Sequence, residues 1–447
     1  MLTDRYGYEL STRSSAAAEH WVDGADRFLA ADGGSLEAFE RAIAMDGDFA
    51  LAHAGRARVL ALRGAGAEAR SEATRAVNLA SNATSRERSH VEVIHGVTHG
   101  DSPGALARIH AHVKLYPRDA FALQPATNVF GLIGLSGRRD REQEVFDLLA
   151  SLAGDYGDDW WYVGTLGFWH TELGRIDDGL RLNKQSIETN PRNGNAVHGL
   201  AHAWYEAGDD AAGIDFLESF LARYPRDGAM HCHLSWHLAL LSLRGGNVER
   251  MWAVFTDGIK PGASTKAPPL NTATDTVALL WHAQLFGHSV NPNQWADARA
   301  FIGERFPPPA NGFLDVHRAI ACAMAGDSSA VESIVKGMRD ADATGRFPWG
   351  TVVPDAIEGM AAFARGDDPR AIELLLPRID EYVRIGGSHA QRDLFQHTLV
   401  AAYLRDGRLD AARGIAERIP WRVDRGAHAL IGHHAEGEQG SSSRAES

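Results

Sequence analysis

Two consecutive stretches decide how this chain is organised: WWYVGTLGFWHTELGRIDDGLRLNKQSIETNP (160–191) and GNAVHGLAHAWYEAGDDAAGIDFLESFLARYP (194–225). Laid one over the other, Gly174 pairs with Gly208, Gly179 with Gly213 and Pro191 with Pro225, each 34 residues apart. Each stretch reads as an apolar helix, a glycine turn and a second helix. Small residues at fixed offsets let two helices of a hairpin approach closely, and the proline ends the second helix before the next unit begins.

A 34-residue unit of this make-up has the spacing and chemistry of a tetratricopeptide (TPR) repeat. Weaker copies run over 48–80, where Gly64, Ala69 and Ala76 take the corresponding places, and over 89–120. Further on, 313–338, 354–379 and 395–419 each carry an apolar helix, a Gly-Asp type turn and a second apolar helix. There the glycine supplies a left-handed helix end and the aspartate a cap for the next helix. Strand-like alternation is nearly absent. The expected fold is therefore all-α: a right-handed superhelical solenoid of about six to eight TPR-like hairpins. It should fill residues 1–425 as one unit, clearest at 160–193 and 194–227. Loops are expected at 258–275 (GIKPGASTKAPPLNTATD) and 305–312 (RFPPPANG), and a disordered polar tail at 426–447.

Composition excludes several functions. A formal charge of -13 and a pI near 5.9 lack the basic footprint that nucleic acid or an anionic membrane demands. Neither partner is expected. Cys232 and Cys322 lie in separate segments and suit a reducing compartment, with no disulfide framework and no CxxC motif. The N-terminus MLTDRYGYELSTRSS has no apolar signal core and no run is long enough to span a bilayer, so a cytoplasmic location is expected. GxSxG, Walker and βαβ-type GxGxxG signatures are missing.

The pieces and their order resemble the tetratricopeptide repeat protein 38 family. The residues that carry the resemblance are FALQPATNVFGLIG (121–134), YVGTLGFWHTELGRIDDGL (162–180), NAVHGLAHAWYEAGDDAAGIDFL (195–217), HLSWHLALLSLRGGN (233–247) and GGSHAQRDLF (386–395). The likeness covers about residues 1–425, with the paired-histidine segments as its most specific part, and it implies a fold more than an activity. Gly199 departs from the pattern, where a larger or more helix-favouring residue is expected; it softens its helix by ~1 kcal/mol relative to alanine.

Histidines at i and i+4 stack on one helical face, and the chain has two such pairs, His198/His202 and His233/His237. Numbered so that Pro191 and Pro225 close their repeats at position 32, His198 and His202 take positions 5 and 9, and His233 takes position 6 of the next unit. The TPR resemblance implies that these positions face the concave groove, so three of the four should converge there, with His237 deeper near the helix interface. These four are the candidate catalytic residues. They are also an alternative metal set, because two HxxxH pairs on adjacent helices offer three or four imidazoles. The first expectation is nevertheless no cofactor. Neither pair carries the glutamate of HExxH, no aspartate is an obvious ligand, and Glu206 stands ~12 Å along the helix from His198.

Several further residues are candidates for ligand binding. Phe168 and Trp236 share position 9 with His202 and are read as groove walls, while Trp204 and His170 hold position 11, a packing slot. Glu172 and Glu206 share position 13; they could orient a histidine, although helix-end charges in solvent is the blander reading. His389, Gln391 and Arg392 follow a flexible Gly-Gly at a helix start. Arg392 could clamp a carboxylate and His389 face the groove if the solenoid curls round, against the alternative of a helix cap with solvated charges. Two functions follow. One is a helical-repeat binding protein whose groove takes a protein, peptide or small-molecule ligand. The other is an enzyme using the histidines for acid/base or metal-assisted chemistry, its pocket closed by the 258–275 loop.

Overall fold

The structure, a computed structural model, describes residues 2–263, 267–308, 310–344 and 349–445. Among the described residues the chain forms 24 α-helices and no strand, with one isolated bridge between Thr3 and Glu9. It is an all-α solenoid of TPR-like helical hairpins. The repeats that open the sequence reading are the pairs Trp160–Glu172 with Ile176–Thr189, and Gly194–Ala207 with Asp210–Leu221. Asp159 and Asn193 start the two first helices by accepting from main-chain N–H groups of the first turn. Gly174 and Gly208, with φ of +77° and +71°, end them in the left-handed conformation that glycine adopts without strain.

The repeated small residues mark close approaches. A Cβ on Gly179 would collide with Thr171 across the hairpin, and one on Gly213 would stand 2.8 Å from Leu241 Cδ1. Gly199 has the same explanation: a Cβ there would run into the Asn183 carboxamide on the preceding helix. The glycine that weakens its helix is what lets the two hairpins stack.

Buried apolar side chains form two cores, one from Leu10 to Leu182 and one from Val197 to Leu430. Phe168 belongs to the first and Trp236 to the second, so the histidine segments lie where the cores meet.

Both ends of the chain come back to these central hairpins. After the Ser15–Leu29 helix, the carbonyls of Ala30 and Ala31 accept from Gly194 N (2.8 Å) and Ala229 N (3.0 Å), just ahead of the two paired-histidine helices. From the other end, the His389–Arg405 helix and the segment after it reach Glu172, Tyr205 and Glu206.

Two expected boundaries are corrected. The 258–275 segment is not one loop. A π-helical turn, Phe255–Ile259, continues into it, and the helix Pro269–Leu285 begins inside it, with proline at the first-turn position it tolerates best; residues 264–266 lie outside the described ones. The 426–447 tail, expected to be disordered, starts as the helix Arg425–Ala445, whose Ala427 and Leu430 are buried against the C-terminal core; residues 446–447 lie outside the described ones. The 305–312 break falls between the helices Pro292–Arg305 and Gly312–Met324, with residue 309 outside the described ones. No described helix is long and apolar enough to cross a membrane.

Candidate histidine-centred site

His198 and His202 project from the Gly194–Ala207 helix, and His233 and His237 from His231–Arg244. The structure brings all four together, His237 included: one ring nitrogen from each lies within 4.8 Å of those of the others. His202 Nε2 is 2.9 Å from His198 Nε2. His202 and His237 are fully buried, while His198 keeps 8% of its surface exposed. Of the two expected groove walls, Phe168 lines the cleft beside the cluster, whereas Trp236 is fully buried in the second core and does not. Phe168 stacks on His198 at 5.3 Å and meets His202 edge-on at 5.1 Å; Trp236 lies parallel to His233 at 5.2 Å.

Two carboxylates hold the outer edges of the cluster. His233 Nδ1 is 2.9 Å from Asp275 Oδ2, and His202 Nδ1 is 3.3 Å from Glu172 Oε1. Only the His233–Asp275 contact is a hydrogen bond, in which Nδ1 donates to the carboxylate and leaves Nε2 bare; His202 Nδ1 stands at ion-pair distance from Glu172 without a hydrogen-bond partner. Asp275 is the residue that sequence reading missed. It falls in the stretch taken for a loop, and its signal was the apolar run VALLWHAQL that follows it, which marks a buried helix.

Charge is kept out of the cluster's centre. Burial, then repulsion from His202 and His233, holds the His198 imidazolium well below its ordinary range; burial and the three neighbouring rings do the same to His237. His202 is lowered by burial too, with Glu172 opposing. Burial alone would raise the Glu172 carboxyl, but His202, His389 and Arg392 outweigh it and hold it at about 2. His198, His202 and His237 are therefore neutral near pH 7 beside an ionised glutamate.

Glu172 and Glu206, equivalent in the repeat, are both buried, which overturns the reading of solvated helix-end charges. They differ in surroundings. Glu206 turns to a second network, 2.7 Å from Arg422 Nε. Arg422 also grips both oxygens of Asp393 at 2.7 and 2.6 Å, and His397 Nε2 meets Asp424 at 2.8 Å. Burial drives the Glu206 carboxyl up to about 8; Arg422 opposes this, and Asp393, Glu172 and Asp424 reinforce it. Arg422 is shared with Asp393, and Asp424 draws on His397, whose value it raises, so burial prevails at Glu206 and it keeps its proton near pH 7.

The GGSHAQRDLF motif is structural in its details. His389 does reach the central hairpins: its main-chain N–H donates to Glu172 Oε2 at 2.9 Å and its Nε2 lies 3.0 Å from the Glu172 carbonyl oxygen. Gln391 is not a ligand group, because it closes the Ser388 capping box of the His389–Arg405 helix. Arg392 pairs with Glu142 at 2.7 Å, leaving no free clamp for a carboxylate. His170 sits off the cluster, edge-on to Phe146, and Trp204 packs on Phe216. Cys232 is buried beside Asp275, and burial pushes its thiol up, so it is no thiolate nucleophile.

A cleft leads from the surface to His198, past Gln124, Asn128, Trp161, Thr165, Phe168 and Asn195. No charged side chain lines it.

No protein-family model matches the chain. Among solved structures, the human IFIT1 dimer with m7Gppp-AAAA aligns over 97% of this chain and 97% of its own at 15% identity and a TM-score of 0.43. The human IFIT1 dimer with PPP-AAAA aligns over 97% of both chains at 14% identity and 0.44. Yeast Tom70 aligns over 95% of this chain and 96% of its own at 11% identity and 0.31. At these scores the likenesses identify no ligand; the helical-repeat character rests on the hairpins themselves.

Proposed function

We propose that this chain is a cytoplasmic helical-repeat binding protein, a relative of the tetratricopeptide repeat protein 38 family, whose enclosed histidine-centred site takes a small molecule. The single observation that supports this is the uncharged cleft ending on His198, the one ring of the pair His198/His202 with exposed surface. A ligand there meets side-chain amides and a hydroxyl (Gln124, Asn128, Thr165), aromatic faces (Trp161, Phe168) and a neutral imidazole that can donate or accept. That chemistry suits a small, uncharged polar molecule with one flat or apolar face. A peptide carboxylate would need cations, and the cleft has none. The net charge of -13 opposes nucleic acid.

A second reading, acid/base catalysis, is favoured by one specific arrangement. Glu172, His202 and His198 form a line, with 3.3 Å between Glu172 Oε1 and His202 Nδ1 and 2.9 Å between the two Nε2 atoms. The line ends at the cleft. A proton taken from a ligand by His198 can pass to His202 while Glu172 stabilises the charge that results.

Thermal-shift screening of neutral amides, hydroxy-ketones and sugars tests the reading. A true ligand at 100 times its dissociation constant stabilises the fold by ~2.7 kcal/mol, and the shift should vanish in His198→Ala and Phe168→Ala. A ligand whose shift survives both substitutions, or a long peptide that competes with it, contradicts the reading. Turnover lost in His198→Ala and Glu172→Gln together supports the catalytic version.

A further inference from the structure

The central cluster turns more nitrogen inward than the rings can satisfy among themselves. Four imidazoles in their uncharged form carry four N–H groups and four bare nitrogens, the form in which a metal ion can take them. His233 spends its N–H group outward, on Asp275, which leaves its Nε2 bare, and His202 Nδ1 faces Glu172 at 3.3 Å without a hydrogen-bond partner. His198 Nε2 meets His202 Nε2 at 2.9 Å. His237 is fully buried, and neither of its nitrogens has a hydrogen-bond partner. An unpaired buried polar side chain carries a desolvation cost, and here it is aimed at three other imidazoles.

We propose that His198, His202, His233 and His237 hold one divalent transition-metal ion, with His198, at the end of the cleft, as the ligand that an incoming molecule replaces. The last clause rests on the small-molecule reading above; the ion does not. Imidazole nitrogens around a tetrahedral ion lie ~2.0–2.1 Å from it and therefore ~3.4 Å from one another. The four donors already fall within 4.8 Å, so closing on an ion takes ring movements of at most about 1.5 Å at the widest pair. Glu172 and Asp275 then do two things. Asp275 fixes the His233 ring through Nδ1 and Glu172 stands 3.3 Å from His202 Nδ1, the carboxylate–histidine–metal arrangement of metalloprotein sites, and their two negative charges balance a dication held by neutral ligands. An all-nitrogen set with no thiolate and no directly placed carboxylate selects zinc, copper, nickel or iron over magnesium and calcium.

Two other groupings have ligand-like spacing, Glu142/Glu172/His389 and Asp393/His397/Asp424. Each already has an arginine for a counter-ion, Arg392 on Glu142 and Arg422 on Asp393. The four-histidine cluster has none inside it.

The test uses full-length protein without an affinity tag, stripped by a chelator, shown to be folded by circular dichroism, and titrated with Zn²⁺ and Co²⁺. We expect one equivalent of either, with a Co²⁺ visible spectrum of tetrahedral nitrogen ligation. Affinity should fall at least ~100-fold in His202→Ala and His237→Ala, and ~10- to 100-fold in Glu172→Gln and Asp275→Asn, which touch no ion. His198→Ala should keep the ion and change the Co²⁺ spectrum as water enters. If His237→Ala does not fold, Asp275→Asn and the cobalt spectrum still decide. Folded wild-type protein that takes up no stoichiometric ion, or uptake unchanged in both Asp275→Asn and His202→Ala, overturns the proposal. The neutral-ligand screen, run on metal-free and loaded protein, separates the two readings. Ligand binding without metal uptake removes the ion alone; metal uptake with no His198-dependent ligand removes the cleft reading and the replaceable role of His198, and leaves the ion.

Discussion

The chain buries histidines in two places and treats them oppositely. In the N-terminal hairpins His90 and His112 both turn to Asp119, at 2.9 and 3.0 Å, and Arg86 joins Asp119 to Asp4. One carboxylate serves as the hub, Arg86 stands between two acids, and His112 completes its second nitrogen on Ser89, while His90 Nε2 has no hydrogen-bond partner. In the central hairpins the carboxylates sit at the rim and the rings face one another. The first arrangement is a keystone of the fold. The second is a set of lone pairs held ready, at some expense in stability, for something the chain does not itself supply. The pair teaches that burial alone does not make a histidine functional; the direction in which its partners lie does.

The largest effect should come from the keystone. Asp119→Ala strands Arg86, His90 and His112 in the interior, and urea denaturation should show a loss of about 3–5 kcal/mol. A loss below about 1 kcal/mol would erase the contrast. Gly199→Ala, which pushes a methyl group into Asn183, should cost about 1–3 kcal/mol and be partly restored by Asn183→Ala, because the hairpin stacking that aligns His198 depends on that gap.

Acid should unfold the central region first. His198 and His237 bind protons less readily folded than unfolded. The unfolded chain therefore takes up more protons below its histidine value of about 6.5, and stability falls with pH from there, by up to about 1.4 kcal/mol per unit for each ring. Glu206 runs the other way. Raised from 4.5 to about 8, it keeps a proton in the folded chain that the unfolded chain releases, so its contribution is full below 4.5 and is lost as pH rises through 8. Denaturation curves from pH 5 to 9 should show the acid limb weakened in His237→Leu and the alkaline limb flattened in Glu206→Gln.

The smallest expected effect sharpens the comparison most. His237→Leu exchanges two unpartnered nitrogens for apolar surface of similar size, and metal-free stability at pH 7 should change by less than about 1 kcal/mol. His112→Leu in the keystone should cost clearly more.

The solenoid was legible because a 34-residue period writes itself into glycine and proline positions, and the HxxxH pairs could be placed once the register was known. Closure was not legible. Local periodicity says nothing about where residues 386–424 land, so the capture of His389 by Glu172 and of Arg422 by Asp393 and Glu206 was invisible, as was the burial of both glutamates. Asp275 was hidden by its neighbours. The prolines, glycine and threonines of 258–275 read as loop, whereas Pro269 is a helix start that carries Asp275 under His233.

Nitrogen-15 spectra of selectively labelled histidines, followed against pH, test most directly whether the central rings form an enclosed, neutral, inward-facing cluster. The account predicts that His198 and His237 stay neutral well below pH 6.5 and that His233 carries its proton on Nδ1. Titration of His198 and His237 near 6.5, or His233 protonated on Nε2 in the metal-free protein, would contradict it.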